Sequence, residues 1–306
     1  MNTIDRKKII LEMETGDIDD ILALCYLLQR NDCCIICILI VPGSLDQVNL
    51  IQKIVNLFKQ DDITTIPIGS YKESHHIVSR NINPLFGFNN DMIVNTTTST
   101  SDILESIPLE ELSMCSFLSI GPLKGFGSFF KNYSKAMPCH FYIKEWFTQG
   151  GFAGCNVVPD EFILDKFKGI KEIASWNLSG AEKEVKFMLK TLTCPITFIS
   201  KNVCHGVVYD EELDYYLSKY EYSNKFVKIT RKIMGDKYLY SPYKKKEKMI
   251  HDLLAVTCFF NRDICQYINI ELKCTKNKWR SELNPDTNQK ISISYDRNKF
   301  LEELVK

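Results

Sequence analysis

The sequence predicts an α/β fold: an open, mostly parallel, Rossmann-like sheet with helices on both faces. Short apolar, β-branched runs alternate with segments of helical apolar period along most of the chain. A parallel sheet crossed over by helices produces that alternation. The run over residues 33–41 is apolar almost throughout, as a strand covered on both faces should be. The 306 residues, 45 % of them hydrophobic, can fill one large core, near the upper size of about 250–300 residues for a single core. No linker or internal repeat divides the chain, so one domain over 1–306 is expected.

Residues 8–11 read as the first strand, and 20–30 as a helix burying Ile21, Leu22, Leu24, Cys25 and Leu28. The strand over 33–41 stops at Pro42-Gly43. Ser44 or Asp46 then caps a helix through Phe58. Residues 64–68 form a third strand, and the polar stretch 70–100 reads as a long loop. Residues 115–120 are a strand, followed by the Gly121-Pro122-Leu123 turn and a helix to about Phe130. The strand over 145–149 runs into Gly150-Gly151, and 152–180 is mostly loop. A helix over 182–192, a strand over 195–200 and helices over 210–219, 223–234 and 246–260 follow. The Ile-Ser alternation in 290–295 predicts an edge strand.

Lys plus Arg is 38 and Asp plus Glu is 38, so no basic excess points to nucleic acid or an anionic membrane surface. Twelve cysteines are scattered, and Cys33, Cys34 and Cys37 inside an apolar run read as small core residues, not as a disulfide framework or a zinc site. The polar N-terminus does not read as a signal peptide. No run approaches the roughly 20 apolar residues of a membrane helix. A soluble, reducing, cytoplasmic setting is expected.

The chemistry concentrates where the first strand meets the first helix. Glu14, Asp17, Asp19 and Asp20 place four carboxylates within seven residues. A pair of them about 4 Å apart costs roughly 4 kcal/mol at an effective dielectric near 20. Helix capping accounts for one or two such acids. A hard divalent cation with all-oxygen ligands accounts for the set. In open α/β sheets the ligand lies beyond the carboxyl ends of the strands. The Ile120-Gly121-Pro122 and Gln149-Gly150-Gly151 turns also follow strands, so both should face the same crevice as the acids. His251-Asp252 supplies a further carboxylate with a proton donor beside it. Asn156 follows a glycine-dense segment that lets backbone approach a ligand closely. His205 lies just past a strand. Tyr240 to Lys246 reads as a solvated face, and His75-His76 has no evident partner. No phosphate loop, dinucleotide fingerprint or nucleophile elbow is present.

Together these motifs resemble those of the nucleoside hydrolases, enzymes that cut the N-glycosidic bond of ribonucleosides. Met13-Glu14-Thr15-Gly16-Asp17-Ile18-Asp19-Asp20 resembles a divergent form of the family's Asp-x-Asp-Pro-Gly-x-Asp-Asp turn. Ser119-Ile120-Gly121-Pro122-Leu123 resembles its Gly-Pro-Leu-Thr-Asn turn, with Lys124-Gly125 in place of Thr-Asn. Gly150-Gly151 with Gly154 and Asn156, Trp176-Asn177-Leu178, Val203-Cys204-His205 and His251-Asp252 match later motifs in the family's order. Ser175 stands where the family carries Glu. The last 45 residues match nothing in the general family.

The resemblance implies the nucleoside hydrolase architecture and a Ca²⁺ ion. Asp20 would hold the ion through both oxygens, with Asp252, the Ile120 carbonyl and Asp17 as further ligands. Asp19, Asn156 and Asn177 would grip the ribose. The general base would be Asp17 or, after it, Glu14. His251 would protonate the leaving base, with His205 second in that role and close to the substrate. A small-molecule nucleoside is the implied partner, and a homodimer or homotetramer the implied assembly. Two other readings stay open. One is a non-catalytic nucleoside- or ribose-binding relative on the same scaffold. The other is a Mg²⁺ phosphatase, which would release phosphate instead.

Overall fold

The computed structural model describes residues 6–58, 65–72, 82–89, 91–136, 142–235, 239 and 247–306. In chain order the strands are β1 (Lys7–Met13), β2 (Cys33–Ile40), β3 (Ile68–Ser70), β4 (Thr98–Ser99), β5 (Ser116–Ser119), β6 (Glu145–Gln149), β7 (Ile196–Ile199), β8 (Val208–Tyr209), β9 (Lys248–Met249), β10 (Cys265–Thr275), β11 (Lys278–Leu283) and β12 (Gln289–Tyr295). The helices begin with α1 (Ile18–Gln29), α2 (Leu45–Phe58), α3 (Thr100–Ser106), α4 (Leu109–Met114), α5 (Gly125–Ala136) and α6 (Trp176–Ser179). They continue with α7 (Glu182–Thr191), α8 (Lys201–Cys204), α9 (Glu211–Ser218), α10 (Lys225–Met234), α11 (His251–Phe260) and α12 (Arg297–Leu304).

Ten strands form one sheet in the order β11-β10-β12-β7-β6-β5-β1-β2-β3-β4. Every pair from β12 to β4 is parallel, and β10 runs antiparallel to both its neighbours. The α/β class with a mostly parallel sheet is therefore as the alternation predicted. The two-residue alternation of β1 divides it between the faces. Ile9, Leu11 and Met13 join a core with residues of α1, α10 and α11, while Ile10 joins one with residues of α5 and α7. Helix α1 is buried from Ile18 to Leu27, because α10 and α11 cover the side that does not face the sheet.

Several boundaries differ from expectation. Among the described residues of the expected strand 64–68, strand begins only at Ile68, because Pro67 has no N–H for the ladder; only its carbonyl pairs, accepting from Ile38 N at 2.9 Å, and residue 64 lies outside the described residues. The polar stretch before residue 100 ends in a cap: Ser99 Oγ accepts from Asp102 N at 3.0 Å and starts α3. Among the described residues of 246–260, helix begins only at His251, since Lys248 and Met249 pair with β8.

The strand over 290–295 is not an edge. It lies between β10 and β7, and Ser292 is buried with its Oγ accepting from Ser200 N at 2.9 Å. Serines that read as a wetted face are satisfied inside. The C-terminal residues, which matched no motif, add β10, β11, β12 and α12 to the architecture. Cys33 and Cys37 are buried, but Cys34 is exposed and is no core residue. The described cysteines are free thiols. No helix among the described residues is long and apolar enough to cross a membrane. His75-His76 and Tyr240 to Lys246 lie outside the described residues.

Candidate active site

Past Met13 the chain turns through Glu14 to Asp17 and enters α1. Asp17 caps the helix: its Oδ1 accepts from Asp19 N at 3.3 Å. Its other oxygen lies 2.7 Å from Lys248 Nζ, and the side chain is 48 % exposed. Asp17 is thus paired at the rim. Asp19 and Asp20 turn inward and are buried. The Asp19 oxygens accept from Asp252 N at 2.8 Å and Leu253 N at 3.3 Å. Asp19 therefore seats the N-terminus of α11, where a negative group is favourable. Glu14 N donates to the Asp20 carboxylate. Asp20 Oδ1 is buried and has no hydrogen-bond partner among the described residues.

The electrostatics follow from crowding without water. Burial, opposed by the α11 amides, pushes the Asp19 carboxyl up to about 7. Burial and then Glu14, Asp19 and Asp17 raise Asp20 well above the usual carboxylate range. Asp252 is raised in the same way by burial, then Asp20, Asp19, Glu14 and Asp17. Glu14 is raised by burial, while the Trp176 indole N–H, 3.1 and 3.3 Å from its two oxygens, opposes the rise. Residues 14, 19, 20 and 252 form one cluster of mutually repelling acids.

The ends of β5 and β6 close against it. A side chain on Gly121 would stand 2.7 Å from Glu14 N, so only glycine lets the Ile120-Gly121 turn lie on the acidic turn. Asn177 is buried, and its Nδ2 donates to Ile120 O at 3.0 Å, Gln149 O at 3.1 Å and Gln149 Oε1 at 2.7 Å. Ser175 Oγ accepts from Gly151 N at 3.0 Å. Gly151 has φ +77°, a left-handed conformation that suits glycine. The hydroxyl at 175 thus fastens a turn. Asn156 is exposed, and its amide donates to Ser281 O at 2.7 Å on the edge strand β11. The structure brings Glu14, Asp19, Asp20, Asp252, Ile120 and Asn177 together, while the Asn156 amide is bonded to β11.

His205 and His251 stack with centroids 4.6 Å apart and ring planes at 19°. His205 Nδ1 is 2.9 Å from Lys166 Nζ. Burial, then the neighbouring His251 and lysines, takes His205 down to about 3. Burial, then Lys248, takes His251 down to about 4, against the opposing pull of Asp17. Both rings are uncharged at neutral pH. His251 Nε2 is buried without a partner among the described residues.

Two residues escaped the sequence reading. Glu12 is fully buried, and its Oε1 accepts from Gly125 N at 2.6 Å and Phe126 N at 3.3 Å, seating α5. Burial pushes its carboxyl up to about 8. Its signal was an acid two residues before Glu14 inside an apolar strand. Gln149, which orients Asn177, carried no signal beyond its place before Gly150-Gly151.

Among the described residues no three His, Cys, Asp or Glu side chains stand together as a ready metal-ligand group. The donors on offer are the carboxylates of Asp20 and Asp252 and the Ile120 carbonyl. An orphaned buried carboxylate oxygen among repelling acids fits a hard divalent cation.

No family model and no curated protein sequence matches the chain. Solved structures do. A plant nucleoside hydrolase superposes with a TM-score of 0.70 at 13 % identity, covering 97 % of each chain. An inosine-guanosine nucleoside hydrolase gives 0.70 at 14 % identity over 98 % of each chain. A purine-preferring ribonucleoside hydrolase from Gardnerella vaginalis gives 0.65 at 17 %, covering 98 % of this chain and 97 % of its own. The chain has the fold of these nucleoside hydrolases.

Proposed function

We propose that this protein hydrolyses the N-glycosidic bond of a ribonucleoside, giving ribose and a free base, with Ca²⁺ as its cation. One observation carries the reading: acids from the two ends of the chain, Asp19 and Asp20 with Asp252, meet beside Glu14 and the Ile120 carbonyl at the carboxyl ends of the strands. The structural neighbours, themselves nucleoside hydrolases, support it.

Asp20, Asp252 and the Ile120 carbonyl would hold the cation. When bound, a divalent ion balances the carboxylates and acidifies a water. Glu14 is the general base in this reading. It lies in the acid cluster, whereas Asp17 is paired with Lys248 at the rim. Cleavage builds positive charge on the ribose carbon, as in glycoside hydrolysis, and the surrounding carboxylates stabilise it. Asp19 and Asn177 face the ribose hydroxyls. With its imidazole uncharged at neutral pH, His251 donates a hydrogen bond to the departing base rather than delivering a full proton. His205 holds that ring by stacking. Residues 1–306 act as one domain, since the C-terminal strands extend the sheet that carries the acids. Free thiols suit a reducing, cytoplasmic setting. A homodimer or homotetramer is the expected assembly, to be read by light scattering.

One observation favours a second reading. Ser175 spends its hydroxyl on Gly151 N and offers the ribose no carboxylate. A non-catalytic ribose- or nucleoside-binding protein would keep the pocket without the turnover. Calorimetry with Ca²⁺ and nucleosides, followed by a ribose-release assay over a purine and pyrimidine panel, separates the two. Binding with no ribose released selects the second reading, and absence of both Ca²⁺ and nucleoside binding removes both.

A further inference from the structure

The chain has three tryptophans, and they are used in different ways. Trp146 and Trp279 are fully buried, whereas Trp176 is 71 % exposed. Indole is usually hidden because its ring buries a large apolar area. Trp176 instead stands at the start of α6, one residue before the buried Asn177. Its N–H reaches both oxygens of Glu14, at 3.1 and 3.3 Å. The ring is held at its polar edge by the acid cluster and left open on its faces.

We propose that Trp176 is a positioning residue for Glu14: its indole N–H sets the direction of the carboxylate, and its open ring borders the bound nucleoside. This rests on Glu14 being the base. The geometry supports the assignment from both partners. Glu14 contributes its backbone N–H to Asp20, which ties its main chain but leaves its side chain to be oriented by another group. The Trp176 indole N–H donates to that side chain, and the residue's own backbone is fixed by Gly180 N–H on its carbonyl at 2.8 Å and by the three acceptors of Asn177 next to it. A donor so placed removes freedom from the carboxylate before a water arrives, and misplacing a catalytic group by about 1 Å can cost on the order of 100-fold.

The test combines kinetics with fluorescence. Trp176→Phe keeps an aromatic ring and removes the N–H, and the site's exposure spares the core. With inosine as substrate, Trp176→Phe should lower kcat about 10- to 100-fold with KM nearly unchanged. Trp176→Ala should lower kcat similarly and raise KM as well. In a Glu14→Gln background, Trp176→Phe should have no further effect on kcat, which a purely structural role would not produce. Inosine should also change the tryptophan emission of the wild type, and the change should vanish in Trp176→Phe, since the other two indoles are buried. Wild-type kcat in Trp176→Phe, or additive losses in the double variant, overturns the proposal while leaving the hydrolase reading intact. If the wild type releases no ribose, the hydrolase reading fails and so does the positioning of a base. The emission change then decides only whether Trp176 borders the ligand.

Discussion

The backbone N–H of Asp252 donates to Asp19 Oδ2 at 2.8 Å, across 233 residues of chain. The bond docks the first turn of α11 on the first turn of α1. It thereby sets the Asp252 carboxylate among Asp19, Asp20 and Glu14, each of which raises it further. The amides at the start of α11 offset part of the charge on Asp19. Nothing described on the protein offsets Asp20 Oδ1.

Asp20 should therefore control cation binding. Asp20→Asn is expected to weaken Ca²⁺ binding at least 100-fold by calorimetry and to abolish ribose release. Without metal the same variant should melt higher than wild type, because the neutral amide spares the folded chain the cost of burying the Asp20 carboxyl among acids that hold it well above the usual carboxylate range. Added Ca²⁺ at 100 times its Kd should stabilise the wild type by about 2.7 kcal/mol and leave the variant unmoved. Full activity in Asp20→Asn would remove the cation from the mechanism.

Stability without metal should fall as pH rises from about 6.5 to 8. Glu12 titrates at about 8 in the folded chain against an ordinary 4.5, and Asp19 at about 7 against 3.8. Each keeps its proton in the folded state where the unfolded state has lost it. The stability they contribute is complete below their unfolded values and drains as pH climbs through the folded ones, at about 1.4 kcal/mol per pH unit per proton. The histidines act oppositely: His205 and His251 are held down near 3 and 4, against an ordinary 6.5, so they cost stability as pH drops below 6.5. Melting temperatures of the metal-free protein should decline from about pH 6.5 to 8. Ca²⁺ should remove the share due to the acid cluster, and Glu12→Gln the share due to Glu12. A flat profile would contradict the buried, protonated acids.

His251→Ala should lower kcat about 10- to 100-fold, the worth of one hydrogen bond to a developing charge at roughly 1.5–3 kcal/mol, with KM little changed. Steady-state kinetics on a purine nucleoside checks this. An effect confined to KM would make His251 a binding group only.

The C-terminal hairpin should matter to substrate affinity. Ser179 Oγ accepts from Trp279 Nε1 at 3.2 Å and from Ser175 N at 3.1 Å, and donates to Asn277 O at 2.9 Å. Ile173 and Trp279 exchange backbone hydrogen bonds at 3.1 and 2.9 Å. The β10–β11 hairpin thus clamps the segment that presents Ser175, Trp176 and Asn177. Ser179→Ala leaves the buried Trp279 indole N–H unpaired, at a cost of about 1–3 kcal/mol. Urea denaturation should show that loss, and the KM for nucleoside should rise several-fold.

Much was legible in the chain because local chemistry is sufficient for it. The apolar run of 33–41 marked a buried strand, the pairing of turn and acid marked the carboxyl end of β1, and the Ile120-Gly121-Pro122 turn marked the end of β5. Strand β6 was read to the residue, since Glu145–Gln149 is bounded by a glycine pair that ends it. The Ile-Ser alternation misled because a serine inside a sheet can be satisfied by a neighbouring strand, as Ser292 is by Ser200.

By itself the sequence determined the α/β class, the strand–helix alternation of its first half and the presence of an excess of carboxylates beside a strand end, because each depends on neighbours along the chain. Which acid faces inward was decided only by the tertiary structure. Asp17 and Glu14 differ little as residues, yet Lys248, 231 residues away, draws Asp17 to the rim, while Trp176, 162 residues away, holds Glu14 in the pocket. The same distant packing turned Asn156 toward β11 and put the histidines ring to ring. A carboxylate's role depends on the charges and donors folded against it, and those come from parts of the chain that local pattern cannot bring together.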